Sequence, residues 1–133
     1  VTVYASLDDL GSYGLSPALY EGSAEITPAR LTTMLSARSA YADDYLGRFY
    51  ALPMVTVSQS VTIAVCQLVA WDAMRILGHN PDEQGTSQWR DGRDEALATL
   101  ERIAKYGSPG CTDSTPEVEE SGIAAYSEPR RGW

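Results

Sequence analysis

The run from Val57 to Leu77 limits the fold more than any other stretch of this chain. Its apolar residues Val61, Ala64, Val65, Leu68, Trp71 and Ala73 fall on more than one stripe of a helix, the pattern of an element enclosed on several sides. At about 1.5 Å per residue the run is long enough in principle to cross a bilayer. Gln59, Gln67, Asp72 and Arg75 interrupt it, and a charge near the bilayer centre costs about 2.5–3.5 kcal/mol. The run therefore predicts a buried central helix rather than a membrane span. Asp72 and Arg75, three residues apart, are expected to pair along that helix.

An enclosed helix needs other helices to cover it, and the punctuation of the chain predicts three. Ser6 can cap the free N–H groups of a short helix near 7–12, with Asp8 and Asp9 favourably placed in its first turn. Gly11, Gly14, Pro17 and Gly22 then break any periodicity up to Ile26, giving a loop or a single turn around Ala18, Leu19 and Tyr20. Thr27 as N-cap and Pro28 at the first helical position start a helix over 28–46. On it Leu31, Met34, Leu35, Arg38, Tyr41, Ala42, Tyr45 and Leu46 share one face, while Arg30, Thr33, Ser39 and Asp43 fall on others. Gly47 and the Leu52-Pro53 pair end it. The central helix spans 58–77 and stops at Gly78-His79-Asn80-Pro81. In a last helix over 84–105, Trp89, Arg93, Ala96, Leu97, Leu100, Ile103 and Ala104 form the buried face, with Glu101 and Lys105 paired outside. Gly92 weakens that helix by about 1 kcal/mol relative to Ala. The expected fold is all-α, a compact bundle of about four helices, and 133 residues suit one such domain.

With 44% hydrophobic and 21% charged residues the body is globular in composition, but the balance shifts after Tyr106-Gly107. Ser, Pro, Gly and Thr dominate there, Glu117, Glu119 and Glu120 cluster, and few large apolar residues occur before Ile123. We expect a helical domain over 1–107 and an extended or disordered docking arm over 108–133. Ile123, Tyr126, Arg130, Arg131 and Trp133 are its candidate anchors, an exposed aromatic beside two cations being suited to docking on another surface.

Chemistry has few candidates in this sequence. A net charge of −8 opposes a surface that grips nucleic acid, which needs Lys and Arg against phosphate. Cys66 and Cys111 show no spacing for zinc or a disulfide framework, and Cys66, inside the apolar run, reads as a core residue whose thiol pKa rises. This usage suits a reducing compartment, and no secretory pattern opens the chain. His79, the single histidine, sits in a helix-ending turn without an obvious partner. Asp8-Asp9 and Asp43-Asp44 are sequence neighbours, whose side chains point about 100° apart on a helix and do not converge on one atom. Phosphate-loop, dinucleotide and nucleophile-elbow motifs are absent from the sequence. No catalytic, cofactor-binding or metal-binding residue is expected.

The order of certain segments carries a resemblance. Tyr4-Ala5-Ser6-Leu7-Asp8-Asp9-Leu10, the block from Ala42 to Pro53, Ile63-Ala64-Val65-Cys66 and the stretch Glu95 to Ala104 look like the Mu-type phage head–tail connector, or adaptor, family. The resemblance covers residues 4–107 and, more weakly, the Arg-rich aromatic carboxyl end; Asp43 to Pro53 is its most specific part. It implies a non-enzymatic structural protein, assembled in the host cytoplasm into the virion neck. Copies would form a ring of about twelve on the portal protein and recruit the stopper or tail-terminator protein. Genomic DNA would pass through the ring without specific binding, and no membrane or cofactor is implied.

Within the block, Arg48 can bond terminal carbonyls or a carboxylate, Phe49 and Tyr50 supply large anchors, and Leu52-Pro53 fixes the chain's exit. Two readings stay open: these residues pin a loop to their own core, or they contact another subunit. The alternative function is a small helical DNA-binding or regulatory protein. Its weakness is the last helix, where Asp91, Asp94, Glu95 and Glu101 balance Arg90, Arg93, Arg102 and Lys105.

Overall fold

The computed structural model describes residues 3–13, 15–20, 22, 24–78 and 87–114. They form α1 (Leu7–Tyr13), a single 3-10 turn (Pro17–Leu19), α2 (Pro28–Leu46), α3 (Gln59–Ile76) and α4 (Ser87–Tyr106). Among the described residues there is no strand, only one isolated antiparallel bridge between Thr56 and Thr112. The all-α bundle is the fold predicted.

The capping chemistry sits where the sequence places it. Ser6 Oγ accepts from Asp9 N–H at 3.2 Å while Asp9 Oδ2 accepts from Ser6 N–H at 3.0 Å, a reciprocal box that opens α1. Thr27 Oγ1 accepts from Arg30 N–H, with Pro28 in the first position of α2. Gly78, at φ +88°, follows α3 in the left-handed conformation that glycine adopts without a Cβ penalty.

The central helix is α3, which packs against α1, α2 and α4. Val61, Ala64, Val65, Cys66, Leu68, Val69, Ala70, Trp71, Ala73 and Met74 are buried along it, covering several stripes as expected of an enclosed helix. From α4 come Ala96, Leu100 and Ile103, and Leu10, Leu15 and Ile26 close the remaining side. No helix among the described residues is long and apolar enough to cross a membrane.

On α2 the buried stripe is Leu31, Leu35, Ser39, Ala42 and Leu46, which corrects the placing of Ser39 on an outer face. A polar residue breaks the apolar count, yet 31, 35, 39, 42 and 46 follow the helical repeat closely. Ser39 Oγ is satisfied in place, donating to Leu35 C=O at 2.7 Å and accepting from Tyr4 N–H at 3.0 Å. Asp43 also turns inward, where its carboxylate accepts from the Tyr4 hydroxyl.

Candidate functional site

Antiparallel packing brings the C-terminal ends of α2 and α4 and the start of α3 to one end of the bundle, where the Arg48–Pro53 block lies. Leu46 C=O accepts from both Phe49 and Tyr50 N–H, so the chain turns sharply as α2 ends. The Leu52–Pro53 peptide bond that follows is cis. The Tyr50 hydroxyl accepts from Ser108 N–H at 2.7 Å and donates to Ser108 C=O at 3.1 Å. Tyr50 thus pins its own loop to the chain just past α4. Phe49 packs edge-on to the Tyr50 ring but is 50% exposed, Leu52 and Pro53 are exposed, and the Arg48 guanidinium lies 4.8 Å from the Tyr45 ring centroid.

The chain after α4 does not leave the body at Gly107. Gly107, at φ +73°, reverses the backbone. A Cβ built there would stand 2.6 Å from the Phe49 ring. Residues 108–114 then run back along 50–58: Thr112 N–H donates to Thr56 C=O, Thr112 C=O accepts from Val55 and Thr56 N–H, and Ser114 N–H donates to Ala51 C=O. Asp113 Oδ2 accepts from Ala51 N–H at 2.8 Å, and Cys111 Sγ accepts from Ser58 N–H. The early part of the expected arm is therefore fastened to this subunit. Ile123, Tyr126, Arg130, Arg131 and Trp133 lie outside the described residues, as does His79.

This end of the molecule also carries Val55, 66% exposed, and Tyr106, 76% exposed, in the last turn of α4. Sequence reasoning missed both. Tyr106 follows directly on the apolar face of α4, and Val55 follows the Leu-Pro pair, so each was hidden among residues already given a structural meaning.

Asp72 and Arg75 do not pair. Asp72 is held instead by Arg38 of α2 through two parallel bonds, Arg38 Nε to Asp72 Oδ2 at 2.6 Å and Arg38 Nη2 to Asp72 Oδ1 at 2.7 Å. The planar fork of Arg38 matches a carboxylate across the α2–α3 contact. The bond to Asp72 raises the Arg38 pKa above its ordinary value despite the opposing effect of burial. Arg75 folds back one turn over Trp71, whose ring also receives Arg93 from α4 at 4.4 Å. Asp72 and Trp71 both lie on the turn before Arg75, but both oxygens of the Asp72 carboxylate are taken by Arg38, and Arg75 rests on the Trp71 ring.

Cys66 and Tyr4 are both held in the core. Cys66 is fully buried, and burial, aided by the charge of Asp9, pushes its thiol up to about 12. Tyr4 is shifted above the ordinary tyrosine range, first by burial and then by its bond to Asp43. A groove of about 470 Å³ between α1 and α4 is lined by Tyr13, Leu15, Gln67, Trp89 and Gly92 among others, and no described carboxylate, His or Cys lines it. Among the described residues no three His, Cys, Asp or Glu side chains are grouped to hold a metal ion. What the surface presents is an apolar and aromatic corner suited to contact.

Comparison with curated proteins finds no match, and neither does comparison with solved structures. One family model, described as Bacteriophage Mu, Gp36, matches residues 4–125. That match begins at Tyr4, the first residue of the segments that carry the resemblance, and continues past Gly107 through the Gly/Pro/Glu-rich stretch to residue 125. The chain belongs to the bacteriophage Mu Gp36 family.

Proposed function

We propose that this protein is a structural connector of the phage neck, acting at the head–tail junction and carrying out no chemical step. Copies form a ring of about twelve on the portal protein and recruit the stopper or tail-terminator protein, and genomic DNA passes through without specific binding. The observation that carries this reading is the exposed corner of Arg48, Phe49, Leu52, Pro53, Val55 and Tyr106 at one end of a helical bundle in a Mu Gp36 family chain. Large apolar side chains gathered at one place are what a subunit buries against a neighbour. The net charge of −8 supports the same reading, because a negative lumen repels the DNA backbone and lets it slide.

Ile123, Tyr126, Arg130, Arg131 and Trp133 are the residues we assign to docking on the portal or an adjacent subunit. The test is a phage in which this gene is silenced, together with electron microscopy of the purified protein mixed with portal. DNA-filled heads without tails, and an added ring on the portal, are expected. Normal tailed particles from the silenced phage would overturn the assignment, as would tight, low-salt binding of the purified protein to duplex DNA.

A further inference from the structure

Two glycines inside helices have no local reason to be glycine. Gly92 lies within α4 and Gly11 within α1, both in ordinary helical backbone, where glycine is less stable than alanine. Packing does not demand either one. A Cβ at Gly92 would come no nearer than 3.8 Å to a neighbour, the Gln67 side chain, and one at Gly11 no nearer than 3.9 Å, to Pro17. Gly107 is different, since a Cβ there meets the Phe49 ring. Gly11 and Gly92 border the same groove, the one of about 470 Å³ between α1 and α4. Their missing side chains leave room for the backbone of a bound chain to come close to both helices.

The other lining groups indicate which kind of chain. Although 21% of all residues are charged, no charged side chain lines the groove among the described residues. Tyr13, exposed, and Trp89, half-buried, supply aromatic surface. Their polar ends are donors: the Tyr13 hydroxyl oxygen already accepts from Gln59 Nε2, which leaves its O–H to give, and the Trp89 indole N–H has no acceptor among the described residues. Gln67 is held by Glu95, its Nε2 donating to Oε1 at 2.8 Å. An extended proline-rich chain matches this set. Its prolines carry no charge and no N–H, their carbonyls face outward to donors, their rings pack on aromatic faces, and the preformed conformation lowers the entropy cost of docking. A neutral sugar brings a donor with every hydroxyl to a groove whose fixed groups are themselves donors.

We propose that the groove between α1 and α4 docks an uncharged, proline-rich extended segment of a partner protein. Its rings lie against Tyr13 and Trp89, its carbonyls accept from the Tyr13 O–H and the Trp89 indole N–H, and its backbone passes over Gly11 and Gly92. The groove is at the start of α4, away from the apolar corner around Phe49 and Tyr106, and the inference does not depend on the connector reading.

The full-length, isotope-labelled chain tests it by nuclear magnetic resonance, with an acetylated and amidated octaproline peptide as the probe. Saturable movement of the Trp89 indole N–H resonance is expected, accompanied by the amides of Gly11, Tyr13 and Gly92. Raising salt to about 0.5 M should leave the affinity unchanged, since no charge takes part. Tyr13→Phe removes one donor and should weaken binding several-fold. Gly92→Ala fills the floor and should weaken binding about tenfold while the melting temperature stays level or rises, a combination that a merely structural glycine does not give. No movement of the Trp89 indole with octaproline at about millimolar concentration would overturn the proposal, and so would unchanged affinity in Gly92→Ala. A lower melting temperature in Gly92→Ala would overturn it as well, by returning the glycine to internal packing. Movement of the Trp89 indole by maltohexaose but not by octaproline would overturn the peptide as the occupant.

Discussion

Two extended segments flank the helices, and they are fastened in opposite ways. The N-terminal one, around Tyr4 and Ala5, inserts its side chains into the core: both residues are buried, Tyr4 N–H bonds Ser39 Oγ, Tyr4 C=O accepts from Thr62 Oγ1 at 2.9 Å, and its hydroxyl bonds Asp43. The C-terminal one, 108–114, is held mainly by backbone and hydroxyl bonds to residues 50–58; Cys111 is half-buried against the core, and none of its side chains is fully buried. The first is part of the core and contributes stability. The second is an edge, laid beside the exposed corner and contributing position. Hydrogen bonds between exposed groups exchange for water at little net gain, whereas the same bonds made in the interior leave unsatisfied groups when broken.

Tyr4 is where the contrast should be largest. Tyr4→Ala empties a buried aromatic site and strands the bonds around it, and a loss of about 3–5 kcal/mol in urea or thermal unfolding is expected. Tyr4→Phe keeps the ring and isolates the hydroxyl. Because the folded state raises the Tyr4 pKa, its contribution is fully present below the ordinary tyrosine value near ~10 and is lost as pH rises beyond it. Cys66, pushed up to about 12, acts with the same sign from the ordinary thiol range upward. Urea midpoints between pH 8 and 11 should therefore fall in the native chain and fall less steeply in Tyr4→Phe. Identical slopes would place the Tyr4 hydroxyl in water.

Ser39→Ala is the next step down. Removing Ser39 Oγ leaves Tyr4 N–H buried without an acceptor, a cost of about 1–3 kcal/mol. On the other segment, Gly107→Ala meets a positive φ that disfavours any Cβ, and the new atom also meets the Phe49 ring. A cost of about 1–2 kcal/mol is expected, with the Phe49 ring displaced. An unchanged melting temperature in Gly107→Ala would show that the reversal after α4 is not held as described.

These two positions also show where the sequence is legible. Caps at Ser6 and Thr27, the stop at Gly78 and the helical repeats are local, since each depends on residues within about four positions, and they place all four helices. Ser39, the Tyr4 anchorage and the return of 108–114 onto 50–58 depend on residues distant in sequence. A serine in an apolar stripe reads as a surface position until its acceptor and donor are known. The Ser/Pro/Gly/Thr composition after Gly107 reads as an arm because backbone pairing leaves no side-chain signature. At the candidate site the block 48–53 was legible as a unit, but not the division of labour in which Tyr50 turns inward while Phe49 and Leu52 stay out.

The Arg38–Asp72 pair belongs to neither segment and gives a scale for side-chain electrostatics alone. Its side chains are 22% and 25% exposed, so solvent screens it in part, and a coupling of about 1 kcal/mol is expected in a double-mutant cycle of Arg38→Ala with Asp72→Ala. The cycle of Arg75→Ala with Asp72→Ala should give a coupling near zero, because Arg75 rests on Trp71. A larger coupling to Arg75 than to Arg38 would restore the pairing along α3 that the sequence predicts.

Ser114→Ala should have the smallest effect and is the sharpest comparison, because it makes in the C-terminal segment the same chemical change that Ser39→Ala makes beneath the N-terminal one. Ser114 Oγ donates to Ala51 C=O, but that carbonyl keeps the Ser114 N–H as donor and both residues are exposed, so water replaces the lost bond at once. A change below about 0.5 kcal/mol is expected. The informative measurement is the pair of urea midpoints: a large shift for Ser39→Ala with almost none for Ser114→Ala is what an embedded segment and a surface edge require. Comparable shifts would mean that 108–114 is as much part of the core as Tyr4, and that the corner beside it is held rigid by the subunit rather than left open to a partner.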